Sequence, residues 1–517
     1  MSAPPIEQVF ATMSNVAVPT SYNEALNSSE RDDWKRAIEL ELKNMEDLKV
    51  WVIADLPLGK KCIGCKWVFA IKCDSVGNVE RYKARLVAQG FTQRANIDYD
   101  QVFSPVARYD TIRVVLAIAN SLGLQDRHFD IKCAFLNGKL QEEIYMKPPQ
   151  GLNIDSGKVV KLLKSIYGLK QAGRVWNSLF NQVLIEFGYK RCDADACLYV
   201  KMNDQNLAIL VLIVDDILAV GQPAELDSLA NALKSKFAIT DKGQATWFLG
   251  MKIERDFKEK KMFLSQTTYI EALLAQHKME NCRPVSVPAT SVTFDSGAQN
   301  QSSDGTKSDE QLACEIQVSE VDANTEELLA VFQDYNNFEE NGNADGSLVF
   351  QFRSITGGLM YLCNTTRPEL TCAVSNLARY MAAPKTEHLI AAKRVLRYLK
   401  GTINLKLTFN AGVGLQQLHG FADADYAGCK ITRKSNTGFV FYVLGAAVAW
   451  KRRLQPTVAL SSMEAEYMAA SDASKEAIWL RRMLTELYQD IHVAGATIIY
   501  EDNQSCIAYA NNPVYIS

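Results

Sequence analysis

The sequence predicts an α+β fold that ends in a compact α/β unit. Up to about residue 288, strand-like runs bounded by turn residues are interleaved with stretches of helical spacing, the mixture expected of antiparallel strands packed with helices. The last hundred residues read differently, as strands, a long helix, a strand and a final helix. Between the two parts lies an acidic stretch, Ala289–Asp345, rich in Ser, Asn, Asp, Gly and Gln. At 517 residues the chain is too long for one ordinary core, so about three or four compact units are expected.

The elements follow in order. "MSAPPIEQVFATMSNVAVP" lacks a basic segment followed by an apolar one, so it is no secretory signal, and residues 1–30 read as a disordered leader. Trp34, Ile38, Leu42 and Met45 recur at helical spacing. "KWVFAIKCDSVGNVERYKARLVAQGF" reads as strand, Gly-Asn turn, strand, with Lys83 and Arg85 two apart on one face. "HFDIKCAFLNG" is a strand running into a turn. Helical patterns over Trp176–Phe187 and Ala224–Phe237 flank "LAILVLIVDDILAVG". "TWFLGMKIERD" and "KMFLSQ" form a strand pair, followed by a helix through Ile270, Leu273 and Leu274.

The acidic stretch, taken as a linker over residues 289–346, allows a short helix near "EELLAVFQDY". Beyond it, Leu389, Leu396 and Leu399 mark a helix whose outer face, with Lys393, Arg394, Arg397 and Lys400, reads as solvated. The last unit, residues 415–517, begins with "LHGFAD", "TGFVFYVL" and "AVAWK". It continues through a helix bearing Leu480, Met483, Leu484 and Leu487, the strand "ATIIYED" and a last helix.

Composition narrows the function. The longest unbroken apolar run, Leu207–Val214, has eight residues, far short of the roughly 20 that a membrane helix needs. Twelve cysteines show no framework pattern, and the lone C-x-x-C of Cys62 and Cys65 cannot fill a tetrahedral zinc site, so reduced thiols in an intracellular protein are expected. Ala289–Asp345 holds thirteen acidic residues and one basic one, and removing it takes the chain from a net −3 to +9. The folded parts are therefore basic, as a phosphate-backbone partner requires.

Carboxylates carry the chemistry. Asp215 and Asp216 stand side by side in an apolar run, where burial and mutual repulsion are costly unless something compensates. The segment fits a polar hairpin turn, where Asp is favoured, and equally a site of hard oxygen ligands for Mg²⁺ or Mn²⁺. Asp130, at the end of another apolar-flanked strand, would complete a three-carboxylate cluster if the strands are neighbours, and such a cluster suits a two-metal site.

The motifs "KWVFAIKCDSVGNVERYKARLVAQGFTQ", "FSPVARYDTIRVVLAIA", "FDIKCAFLNG", "SIYGLKQA", "VDDILAVG", "FLGMKIE", "AAKRVLRYLKGT", "FADADYAGC", "VALSSMEAEYMAA" and "EDNQSCIA" occur in this order. In them the chain resembles the reverse transcriptase–RNase H portion of Ty1/copia-type LTR retrotransposon polyproteins, over roughly Trp34 to Pro513. The resemblance implies a right-hand polymerase (fingers, palm and thumb) over residues 31–288, a connection over 347–414 and an RNase H-like domain from 415. It implies an RNA-directed DNA polymerase with two Mg²⁺ (or Mn²⁺) per active site, held by Asp130, Asp215 and Asp216. Lys72, Lys83 and Arg85 would face the incoming dNTP, Gln171 would lie by the nascent base pair, and Phe135 would act as a steric gate against a ribose 2′-OH.

In the RNase H half the resemblance implies Asp423, Glu464 and Asp502 as metal ligands, with Asp423 preferred to Asp425. Each has a plainer reading: Ser461-x-x-Glu464 is a capping box, and Asp502 suits a helix N-cap. Implied partners are an RNA template, a DNA primer, the RNA–DNA hybrid, and the capsid and integrase products of the same element. The implied setting is a cytoplasmic virus-like particle or the nucleus. Two departures stand out. Ile213 replaces the Tyr usual two residues before the paired aspartates, and the sequence stops at "NNPVYIS", short of a segment with a fourth carboxylate, which implies a truncated RNase H domain. The competing expectation is a decayed or truncated element that binds nucleic acid without catalysis.

Overall fold

The computed structural model describes residues 17–73, 79–204, 206–289, 344–412 and 416–512. Residues 290–343 of the expected acidic linker, the helix near "EELLAVFQDY" and the Gly-Asn turn fall outside them, while residues 344–346 of that linker already belong to a helix, Ala344–Thr365. The expected leader needs correction at its end. Tyr22–Asn27 form helix α1, with Ser21 Oγ accepting from the Glu24 N–H at 3.2 Å. Ala25 is buried and the Tyr22 ring lies 6.5 Å from that of Trp67, so this segment packs against the chain.

Helix α2 (Arg31–Asp47) buries Trp34, Ala37, Ile38, Glu41 and Met45. They lie against an antiparallel hairpin of β3 (Cys65–Cys73) and β4 (Val79–Ala88), where Trp34 meets Phe69 and Tyr82 edge-on at 5.2 and 4.7 Å. Beside the hairpin runs a sheet in the order β1 (Trp51–Ala54), β7 (Val159–Lys164), β6 (Lys139–Met146), β2 (Cys62–Ile63).

The central sheet has six strands. Its order is β12 (Ile239–Asp241), β5 (Gln125–Ile131), β11 (Asp216–Gly221), β10 (Asn206–Ile213), β9 (Leu198–Asn203), β8 (Lys190–Arg191), all antiparallel. Alternate residues enter two different cores. Ile209, Val211, Leu218 and Val220 pack with α3 (Tyr109–Leu122), while Leu210, Leu212, Ile217 and Ala219 pack with α4 (Ala172–Glu186) and α5 (Pro223–Lys236). Both faces are covered, which explains why Leu207–Val214 is apolar throughout instead of alternating.

A third sheet joins β13 (Trp247–Phe248), β14 (Met251–Asp256), β15 (Lys261–Ser265) and β16 (Leu407–Asn410). Helices α6 (Thr267–Gln276), α7 (Ala344–Thr365), α8 (Thr371–Ala378) and α9 (Thr386–Gly401) share one core. The expected division between residues 31–288 and 347–414 is therefore no packing boundary, since α6 and β15 precede the acidic stretch and their partners follow it. The face of α9 expected to be solvated also differs, because Arg397 is 9% exposed and its Nε donates to Arg283 O at 2.7 Å.

The last unit is a sheet ordered β19 (Ala446–Leu454), β18 (Asn436–Val443), β17 (His419–Asp425), β20 (Ile498–Tyr500), with β20 parallel to β17 and the other pairs antiparallel. Helix α10 (Ser462–Glu486) packs on it, and α11 (Gln504–Ala510) closes the described chain. Among the described residues no helix is long and apolar enough to cross a membrane.

Candidate active sites

Asp130 ends β5, and the register of β5 with β11 sets it directly opposite Asp216. Ile213 pairs with Asp216, so Val214 and Asp215 are the two turn residues of the β10–β11 hairpin. Val214 sits at φ 58°, a region costly for a β-branched residue. It is held there from two sides: the Trp176 indole N–H donates to Val214 O at 2.5 Å, and the Ile131 N–H donates to Asp215 O at 2.8 Å. The tip is thus a rigid turn with three carboxylates around it.

The three are not equivalent. Asp216 Oδ1 lies 2.6 Å from His128 Nε2, and the Lys242 ammonium reaches Asp216 Oδ1 at 3.3 Å and Asp130 Oδ1 at 3.4 Å. Burial works to raise the Asp216 carboxyl, but the His128 hydrogen bond and the Lys242 charge outweigh it and hold it below the usual value. Asp215 goes the other way, raised by burial and then by the charge of Asp216, with Asp130 adding and Arg85 opposing. Asp130 and Asp215 suit a divalent cation in donor type, and the excess negative charge at Asp215 is what such an ion would neutralise. Asp216 is the most engaged of the three, since among the described residues Asp130 has only the Lys242 contact, at 3.4 Å. His128 and Lys242 were not legible beforehand: His128 is only two residues from Asp130 on the same strand face, but Lys242, the residue after β12, arrives from 112 residues away.

Lys83 and Arg85 pair with Ala70 and Val68 across the hairpin, so they share a face with Lys72. The Arg85 guanidinium lies 5.4 Å from the Tyr167 ring, and Tyr167 meets Phe135 edge-on at 5.2 Å. That chain of contacts runs from the hairpin to the turn following β5. Gln171 is placed differently from its expected position. It is fully buried, accepting from Gln93 Nε2 at 3.0 Å and donating to Asp98 O at 2.9 Å, so its amide holds a loop together.

In the last unit, Asp423, Glu466 and Asp502 offer ligand oxygens all within 4.8 Å of one another, the one such set among the described residues. Glu464 is not in it, which corrects the expected ligand. Its Oε2 accepts from the Leu460 N–H at 2.6 Å while its own N–H donates to Ser461 Oγ at 3.1 Å, so it caps the helix. Two residues on is about 200° around a helix, which turns Glu466 to the sheet. There it follows the buried stripe of Ala469, Ala473, Ala477 and Leu480, a pattern readable in the sequence. Asp425, two residues from Asp423, is occupied by Asn436 Nδ2 at 3.0 Å and Arg452 at 3.3 Å.

Burial first, then the charges of Glu501 and Asp423, push Glu466 up to about 7. Its Oε2 is buried and accepts no hydrogen bond from the described residues, and neither does Glu501 Oε2. Uncompensated buried carboxylate oxygens beside two more carboxylates are what a hard divalent cation would satisfy, so these residues fit one.

A helix-covered antiparallel sheet thus carries a carboxylate-bearing hairpin tip, and the basic β3–β4 hairpin reaches toward it through Arg85 and Tyr167. The model of the family "reverse transcriptase (RNA-dependent DNA polymerase)" matches residues 48–291. The chain is 38% identical over 510 residues to a retrovirus-related Pol polyprotein from transposon TNT 1-94 of Nicotiana tabacum, covering 98% of this chain and 35% of that one. It is 32% identical over 509 residues to the corresponding polyprotein from transposon RE1 of Arabidopsis thaliana, covering 97% and 31%. Residues 48–291 therefore form a reverse transcriptase-family domain, and the chain as a whole is similar to Ty1/copia-type retrotransposon Pol polyproteins. It spans about a third of the length of these curated relatives. Among solved structures, a foamy viral protease–reverse transcriptase in complex with double-stranded DNA aligns at a TM-score of 0.46 and 13% identity, over 99% of this chain and 69% of that one.

Proposed function

We propose that the chain is an RNA-directed DNA polymerase that extends a primer 3′-OH with dNTPs. The observation that carries this reading is the rigid turn that sets Asp215 beside Asp130 and Asp216, opposite the Arg85–Tyr167–Phe135 contacts. Asp130 and Asp215 would hold the divalent cations, which supply charge neutralisation at the triphosphate and the attacking oxygen. The chain's own residues do the rest. Lys72, Lys83 and Arg85 bind the triphosphate, Phe135 fills the space of a 2′-OH, and the hairpin tip aims the primer end at the α-phosphorus. The primer oxygen forms the new P–O bond as pyrophosphate leaves. Asp423, Glu466 and Asp502 support an attached RNase H activity on the RNA strand of the hybrid, in the setting of an intracellular element-derived particle.

Primer extension on an RNA template with Mg²⁺ or Mn²⁺ tests the reading. Incorporation by the wild type and its loss in Asp215→Asn are expected. Salt-sensitive binding of primer–template with no incorporation under any of these conditions would show a nucleic-acid-binding remnant instead.

A further inference from the structure

Glu41 occupies a position that helical spacing reserves for an apolar side chain. It lies between Ile38 and Met45 on the buried stripe of α2 and is 8% exposed. A leucine there would pack without the desolvation cost that a carboxylate carries. Among the described residues β4 pairs as a strand only with β3, and on its other edge Glu41 Oε1 accepts the Leu86 N–H at 3.3 Å, near the Ala88 N–H that donates to Tyr167 O at 2.8 Å. The two faces of β4 differ. Helix α2 covers the face of Ala84 and Leu86, while Lys83 and Arg85 rise from the opposite one. Glu41 sits at the rim between them, and the charges of Arg85 and Lys83 act on its carboxylate against the upward push of burial. Its own charge is felt by Cys133 and Tyr167, which border Phe135.

Two cations two residues apart on one strand face stand roughly 7 Å apart and repel, and long basic side chains lose several rotamers when ordered. A fixed anion at the rim offsets both costs. We propose that Glu41 is a positioning residue for nucleotide binding: its buried carboxylate, tied to the outer edge of β4, holds Lys83 and Arg85 together on the triphosphate-facing side. This rests on the reading that Lys83 and Arg85 bind the triphosphate, and it adds a residue from outside the polymerase motifs.

Two variants separate positioning from folding. Glu41→Gln keeps the volume and an acceptor for Leu86, and Glu41→Leu restores the apolar stripe. In the full chain, both are expected to melt no lower than the wild type by more than a few degrees and to bind primer–template as the wild type does. Both should raise the KM for dNTP about tenfold, with a smaller change in kcat. In an Arg85→Ala background, Glu41→Gln should add little further increase. Arg85→Ala raising KM while both Glu41 variants leave it unchanged, or lower it, would overturn the proposal and spare the triphosphate reading. Arg85→Ala leaving KM unchanged would overturn that reading and this proposal with it. A uniform loss of stability and of primer–template affinity in both Glu41 variants would make Glu41 structural only.

Discussion

Two glutamates on one helix turn show how finely role depends on position. Glu464 and Glu466 are chemically identical and two residues apart, yet one closes the helix N-terminus and the other lies among carboxylates at the sheet. Their substitutions should therefore separate. Glu464→Ala removes the bond to the Leu460 N–H, leaves the Ser461 cap in place, and should cost about 0.5–1.5 kcal/mol of stability while leaving hybrid cleavage measurable. Glu466→Gln should abolish metal-dependent cleavage of an RNA–DNA hybrid and raise the metal-free melting temperature, because a buried carboxylate is replaced by a neutral amide. Loss of cleavage in Glu464→Ala with retention in Glu466→Gln would reverse the assignment. The capping box was legible in "SSMEAE"; that it claimed Glu464 outright, and set Glu466 instead among the carboxylates at the sheet, was not.

At the level of elements, the helical layer α6–α9 carries its own pH dependence. His277 follows α6, with Ser354 Oγ of α7 3.5 Å from its Nε2, and His388 in α9 stacks on Tyr380 at 3.8 Å. Burial pushes both down to about 4, with the charge of Lys393 adding to the effect on His277 and that of Lys385 on His388. Their folded values lie below the ordinary histidine value, so on acidification the unfolded chain takes up protons first. The stability they confer is full above about pH 6.5 and is lost progressively as pH falls toward about 4. Melting temperatures measured from pH 7 to pH 4 should fall across that window, and His277→Gln should flatten the fall. An unchanged slope in that variant would mean the imidazole is not held neutral. Of these helices, α9 was legible from Leu389, Leu396 and Leu399 and α6 from the Ile270 run, whereas α7 and α8 were not. Their common core was not, because it joins segments on either side of the acidic stretch.

Over the whole molecule, one buried cation ties three parts together. Arg113 in α3 is 2% exposed. Its Nε donates to Val448 O in β19 at 2.7 Å, and its Nη1 donates to Asn364 O and Thr365 O at the end of α7 at 2.7 and 2.9 Å. Asp110 pairs with the remaining nitrogen, and the guanidinium lies 3.8 Å from the Trp450 ring. The helix on the central sheet, the helical layer and the last unit thus meet on a single side chain. Arg113→Met leaves three carbonyls and a carboxylate without their donor, at a cost of roughly 3–5 kcal/mol. Calorimetry should show the unfolding of the last unit separating from that of the rest. A single transition shifted by less than a degree would show that the units are coupled elsewhere.

The sequence by itself determined the β3–β4 hairpin, the strands β5, β10 and β11, the helices α2, α4–α6, α9 and α10, and the placing of Asp130, Asp215 and Asp216 at adjacent strand ends. Strand alternation, helical spacing and turn chemistry are written within a few neighbouring residues, and the motif order carried the family. Only the tertiary structure decided which carboxylates are already engaged, which glutamate faces the sheet, that Gln171 is buried against a loop, and that β16 and α7–α9 close over elements laid down before the acidic stretch. Those outcomes depend on partners dozens to hundreds of residues away, such as Lys242 for Asp130 and Val448 for Arg113. No local pattern records which side chain will arrive there.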